Sequence, residues 1–99
     1  MTGSGTSVTT LLELLPSLGD VDEELVVVAR RPWTRYSDAT CVDEDVDERP
    51  SGLDYLLEVG LVREVAQVWS AWRDGREPTP AELADAVIHY TEHDAYLPA

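Results

Sequence analysis

One short run constrains this chain more than any other. Leu-Val-Val-Val-Ala at 25–29 is preceded by the acids Asp22, Glu23 and Glu24 and followed by Arg30 and Arg31. A continuous, β-branched apolar run of this length is too short for a helix and too apolar for a half-exposed strand. It predicts a buried β-strand. A strand needs neighbours for its backbone groups, and two further segments offer themselves. Ala39–Asp45 reads as a second strand that runs into acids, after the turn residues Pro32 and Ser37-Asp38. Leu53–Val59 alternates, with Leu53, Tyr55, Leu57 and Val59 on one face and Asp54 and Glu58 on the other.

At Gly60 the period changes from two to 3.6. Leu61, Val62, Val65, Val68, Trp69 and Trp72 fall within about a 120° arc at 100° per residue, with Arg63, Gln67 and Ser70 opposite. This predicts a helix over 61–73, with both tryptophans in the core and Gly75 as its C-terminal cap. Thr79-Pro80-Ala81-Glu82 is a capping-box signature, so a helix over 79–94 follows, with Leu83, Ala84, Val87, Ile88 and Thr91 inside. Near the N-terminus, Val8, Leu11, Leu12 and Leu15 have helical spacing, with Ser7 as cap and Pro16 as limit. Residues 1–6 are small and polar and are expected to be disordered, leaving 7–99 as one α+β domain. The expected architecture is a three-stranded antiparallel meander with helices packed on one face, in the order α-β-β-β-α-α.

Charge narrows the partners. The 99 residues carry 20 acids against 7 bases, a net charge of −13, and every base is an arginine. Affinity for nucleic-acid phosphate comes from cations that displace counterions, so direct DNA or RNA binding is disfavoured. Anionic membrane surfaces are disfavoured for the same reason. A basic protein is the expected partner. Cys41, the single cysteine, sits beside the acids and reads as a small core residue, because a reactive thiolate needs an electropositive setting. The N-terminus lacks the basic and apolar pattern of a secretory leader, and no long apolar run is present, so a cytoplasmic protein is expected.

Three constellations deserve weighing. The first is the acidic segment Asp43, Glu44, Asp45, Asp47 and Glu48. Asp43-x-Asp45-x-Asp47 echoes a calcium loop, but Glu48 stands where the sharp turn needs glycine and Pro50 follows. An irregular cation site, a protein-binding face and a solvated loop all stay open. The second is His89-Tyr90-Thr91-Glu92-His93, an H-x-x-E-H pattern that places two imidazoles one helical turn apart. On the wheel both histidines lie opposite the apolar stripe, and Asp85 is expected to interact with His89 at i, i+4. The third is the loop Arg30, Arg31, Trp33, Arg35 and Tyr36, whose residue types anchor protein interfaces. Alternatively Trp33 folds back on the sheet while the arginines pair with acids of 20–24 and 43–48. No phosphate-binding glycine loop and no nucleophile–base pair is legible, and nothing calls for a cofactor.

Residues 25–68 also resemble a family. "VVVARRPWTRYSDATCVDEDVDE" followed by "GLDYLLEVGLVREVAQV" is similar to an uncharacterised family of small acidic bacterial proteins of toxin-immunity and phage-conflict type. The likeness rests on Trp33-Thr34, the acids of 43–48, and Gly52-Leu53 with Tyr55. It implies an immunity or inhibitor role and supplies no catalytic residues.

The expectation is therefore a non-enzymatic acidic binding module. Asp43, Glu44, Asp45, Asp47, Glu48 and Asp54, with Glu58, supply charge complementarity, while Trp33, Arg35 and Tyr36 form the anchor. A DNA-mimic inhibitor of a defence nuclease is the close variant. A metal-binding protein using His89, Glu92 and His93, or the Asp43–Asp47 loop, is the rival class. A homodimer burying the Trp33 loop is the third.

Overall fold

A computed structural model describes residues 8–46 and 48–98; the expected disordered segment 1–6, the Ser7 cap and Asp47 lie outside them. The run at 25–29 forms strand β2, Val26–Ala29, and every residue of it is buried. It pairs antiparallel on one side with β3, Asp38–Val42, and on the other with β4, Asp54–Glu58. A two-residue strand β1, Thr9–Thr10, pairs with the outer side of β3. The sheet thus has four strands in the order β1-β3-β2-β4, not the three-stranded meander that the spacing suggested. The physical reason lies in β2 itself. A strand apolar on both faces is stable only where both faces are covered, and in a meander it would have been an edge.

This order has a topological consequence. β3 and β4 both run antiparallel to β2 and are therefore parallel to each other. The connection 43–53 must return along the length of the sheet and cross β2. Its last residue, Leu53, packs with Val26, Val28 and Val42 on the face away from the helices. The acidic segment is thus part of a crossover over the second face of the sheet, and β3 ends at Val42, before the acids begin.

Three helices cover the other face. α1, Leu11–Leu14, is capped by the Thr10 hydroxyl, which accepts from the Glu13 N–H at 3.3 Å. It runs on as a 3-10 helix over Leu15–Asp20, with Pro16 in the first turn, where its missing N–H is harmless. Leu11, Leu15 and Leu18 face inward, whereas Val8, expected inside, is exposed. α2 is Val59–Ala71 and α3 is Pro80–His93. Val27, Ala29, Ala39, Leu56 and Leu57 of the sheet meet Leu11, Val62, Val65, Trp69, Leu83, Ala84 and Val87 of the helices in the main core. Cys41 is half-buried against it, and burial raises the pKa of its thiol.

Two expectations about faces are corrected. Leu53–Val59 does not alternate cleanly. Val27 faces Leu57 but Val28 faces Tyr55, so Leu56 is the extra residue of a bulge. The bulge lets Leu56 and Leu57 both enter the core and leaves Tyr55 40% exposed. Trp72 is 50% exposed although it sits near the middle of the apolar arc, because it is the C-cap of α2, past the last helical residue, Ala71.

The capping box of α3 forms as the sequence predicts. Thr79 Oγ1 accepts from the Glu82 N–H at 3.2 Å, and Glu82 Oε1 accepts from the Thr79 N–H at 3.0 Å. That backbone donor, and then Arg76 at 3.1 Å, pull the Glu82 carboxyl down to about 2 from 4.5. A depressed carboxyl stabilises the fold fully above its unfolded value and loses that effect as pH falls toward its folded value. Glu82→Gln keeps an acceptor for Thr79 but no charge. The stability gap between the two proteins is therefore expected to narrow as pH falls from 5 toward 2, which acid titration of both by circular dichroism measures.

Candidate functional site

Strand β2 separates two chemically different ends of the molecule. The first end lies beyond Val26, Val42 and Glu58, which the register sets side by side. Three chain segments deliver carboxylates there. Before β2, the Asp22 side chain accepts from the Glu24 N–H at 2.9 Å and fixes the turn that presents Glu24. After β3, Asp43 Oδ1 accepts from the Asp45 N–H and the Asp43 carbonyl from the Val46 N–H, both at 3.0 Å. This turn aims Glu44 and Asp45 outward. Glu58 closes β4.

A depression of ≈ 260 Å³ is lined by Glu24, Val26, Asp43, Glu44, Asp45 and Glu58. A second, of ≈ 380 Å³, is lined by Glu23, Glu24, Glu58, Gly60 and Leu61. They share Glu24 and Glu58 and so form one acidic surface. Gly60 permits the close approach of the two segments: its N–H donates to the Glu23 carbonyl at 3.1 Å, and a Cβ there would meet Glu23 Cβ at 3.3 Å. Arg49 reaches Glu44 at 2.6 Å. Tyr55 stands beside these acids. Its phenol pKa is raised by burial and then by the carboxylates of Glu58 and Glu44.

Of the expected binding residues, Asp43, Glu44 and Asp45 belong to this end. Glu48 is exposed farther along the connection. Asp54 does not join them. It pairs beside Ala29 at the other end of β4, roughly 13 Å along the strand from Glu58 at about 3.3 Å per residue. Glu24 and Tyr55 carry no sequence signal that marks them as site residues. Glu24 is separated from 43–45 by a whole strand, and the period-two pattern sets Tyr55 on the inner face because it does not register the bulge. Among the described residues no three or more His, Cys, Asp or Glu side chains come close enough together to hold a metal ion.

The second end lies beyond Ala29. The turn 30–37, which includes a cis Arg31–Pro32 bond, is fastened on several sides. The Trp33 indole N–H donates to the Ala29 carbonyl at 3.1 Å, and the Arg31 guanidinium lies 4.6 Å over the ring. Leu11 and Leu12 of α1 donate to the carbonyls of Ser37 and Arg35 at 3.0 and 2.8 Å. The arginines do not pair with acids of 20–24 or 43–48 as expected. Arg30 meets Asp38 at 3.3 Å, and Arg35 meets Asp85 of α3 at 2.7 Å. That bond and the Asp85 charge raise the Arg35 pKa, and they engage the carboxylate expected to serve His89.

Trp33, Arg35 and Tyr36 thereby form one wall of a ≈ 490 Å³ groove, and Asp85, His89 and His93 form the other. Tyr36 is 67% exposed. His93 faces solvent as the wheel predicts, but His89 is half-buried in the groove. The expected aromatic anchor and the expected acidic patch therefore sit at opposite ends of β2. Among the described residues no helix is long and apolar enough to cross a membrane. No protein-family model, curated protein or solved structure matches this chain.

Proposed function

We propose that the chain is a small acidic binding module that masks a basic surface of a partner protein, in the manner of an immunity or inhibitor protein acting on a toxin or nuclease. The observation that carries the reading is the convergence of Glu24, Asp43, Glu44, Asp45 and Glu58 around one pair of adjoining depressions. Carboxylates spread over two depressions suit several basic side chains better than one chelated ion. Tyr55 adds a half-exposed aromatic at the same end, the kind of residue that anchors an interface. The anchor thus moves from Trp33 and Tyr36 to Tyr55. The resemblance of residues 25–68 to small acidic conflict-system proteins points the same way. A DNA mimic would need its acids strung along a continuous face, and the separation of Asp54 and Asp85 from the acidic end favours a patch instead. The reading is of a non-catalytic, cytoplasmic protein without a cofactor.

The test is capture from an extract of the source cells. The wild-type chain should retain a strongly basic protein and release it in about 0.5 M salt, where the screening length falls to roughly 4 Å. A variant carrying E24Q, D43N, D45N and E58Q should retain none. Asn at 43 preserves the turn acceptor, so the fold survives. Retention by this variant, or loss only on Tyr36→Ala, would move the binding surface to the other end of the sheet.

A further inference from the structure

His89 and His93 stand one turn apart on α3, with ring centroids 4.4 Å apart and ring planes 35° from each other. We propose that they form an open two-imidazole site for a late first-row divalent ion, Cu²⁺ ahead of Zn²⁺, on the wall of the groove facing Trp33 and Tyr36. The site is distinct from the acidic end and does not depend on the function proposed for it.

Two imidazole nitrogens bound to one ion at 2.0–2.1 Å lie about 3 Å apart. Rings that already stand side by side on one helix face reach that arrangement by turning about their own side-chain bonds, with the backbone unmoved. Neither ring has a competing partner, since no hydrogen bond or ion pair joins either imidazole to a described residue. Asp85, one turn before His89, is occupied by Arg35 at 2.7 Å. The same ion pair offsets the positive charge that would otherwise repel a cation from the groove. Glu92 lines the groove as well and adds negative charge at its rim. The net charge of −13 raises the concentration of dications around the whole molecule.

The described residues offer no third ligand, so water fills the remaining positions. An open nitrogen site of this kind follows the general order of divalent affinities, which places Cu²⁺ above Zn²⁺. Hard oxygen-seeking ions such as Ca²⁺ and Mg²⁺ are not expected to compete for it.

Isothermal titration of the full chain with CuCl₂ and with ZnCl₂ in a non-chelating buffer is the test. The expected result is one ion per chain, Cu²⁺ bound more tightly than Zn²⁺, and at least about a tenfold loss of affinity in His89→Gln and in His93→Gln. Asp43→Asn/Asp45→Asn should leave binding unchanged. A variant-free reading comes from the wild-type histidine ring protons, which substoichiometric Cu²⁺ should broaden selectively. Absence of binding, binding retained in either histidine variant, binding lost in the aspartate variant, or ring protons that stay sharp would each overturn the proposal.

Discussion

Trp69→Ala lowers the free energy of unfolding by about 3–5 kcal/mol, whereas Trp72→Ala lowers it by about 1 kcal/mol or less. Both residues lie on the apolar arc that helical spacing predicts, and spacing alone does not rank them. The structure does. Trp69 is 4% exposed, packs in the main core, and carries the Arg73 and Arg76 guanidiniums over its ring at 4.2 and 4.6 Å. Its removal opens a large cavity and strands two cations from their aromatic face. Trp72 touches Tyr96 edge-on at a centroid distance of 6.0 Å and leaves half of its surface to water. For a chain of this size each kcal/mol moves the melting temperature by roughly 4–8 °C, so the two variants separate clearly in a thermal scan. A larger loss at Trp72 than at Trp69 would contradict the placement of α2.

Arg63→Met is expected to cost about 2–3 kcal/mol, although the helical wheel sets Arg63 opposite the core. One terminal guanidinium nitrogen donates to the Leu18 carbonyl at 2.7 Å, to the Gly19 carbonyl at 3.2 Å, and to the Val21 carbonyl. These carbonyls lie at the C-terminal end of the 3-10 helix, where Leu18 also accepts from the Val21 N–H and where a cation is favoured by the helix dipole. Methionine keeps the apolar stem of the side chain and removes the donors together with their charge. The urea midpoint of unfolding measures the loss. A cost below about half a kcal/mol would mean that water replaces the guanidinium without penalty.

Arg63 shows where sequence reading stops. Its polarity and wheel position are those of a surface residue, and only the tertiary path of 15–21 makes it a cap. The capping box at Thr79 and Glu82 is local, and it is found in the structure as it is read in the sequence. The three principal strands and the two long helices also form in the segments the sequence marks, because each rests on an apolar pattern of its own, although β3 stops at Val42 rather than running to Asp45. Strand order depends on what covers each face. Val26–Ala29 is apolar throughout, which requires a central position, yet a meander would have put it at an edge. β1 is two residues long and carries no periodic signal. The bulge at Leu56 shifts Tyr55 from the core to the surface, and the crossover between β3 and β4 brings its last residue, Leu53, into the buried cluster on the second sheet face. The acidic end inherits both effects. Its local member, 43–45, is legible in the sequence, while Glu24 joins it only through the β2–β3–β4 register.

If one end of the sheet recognises a basic partner by charge, its affinity must depend on Glu24, Asp43, Asp45 and Glu58 and must weaken with salt. The most direct measurement is the association rate of the captured partner with the wild-type chain and with the E24Q, D43N, D45N and E58Q variant, each at low salt and at about 0.5 M salt. The expected result is a rate about 10- to 100-fold lower in the variant at low salt, with the two proteins converging at high salt. Equal rates at low salt would contradict recognition by this end of the molecule.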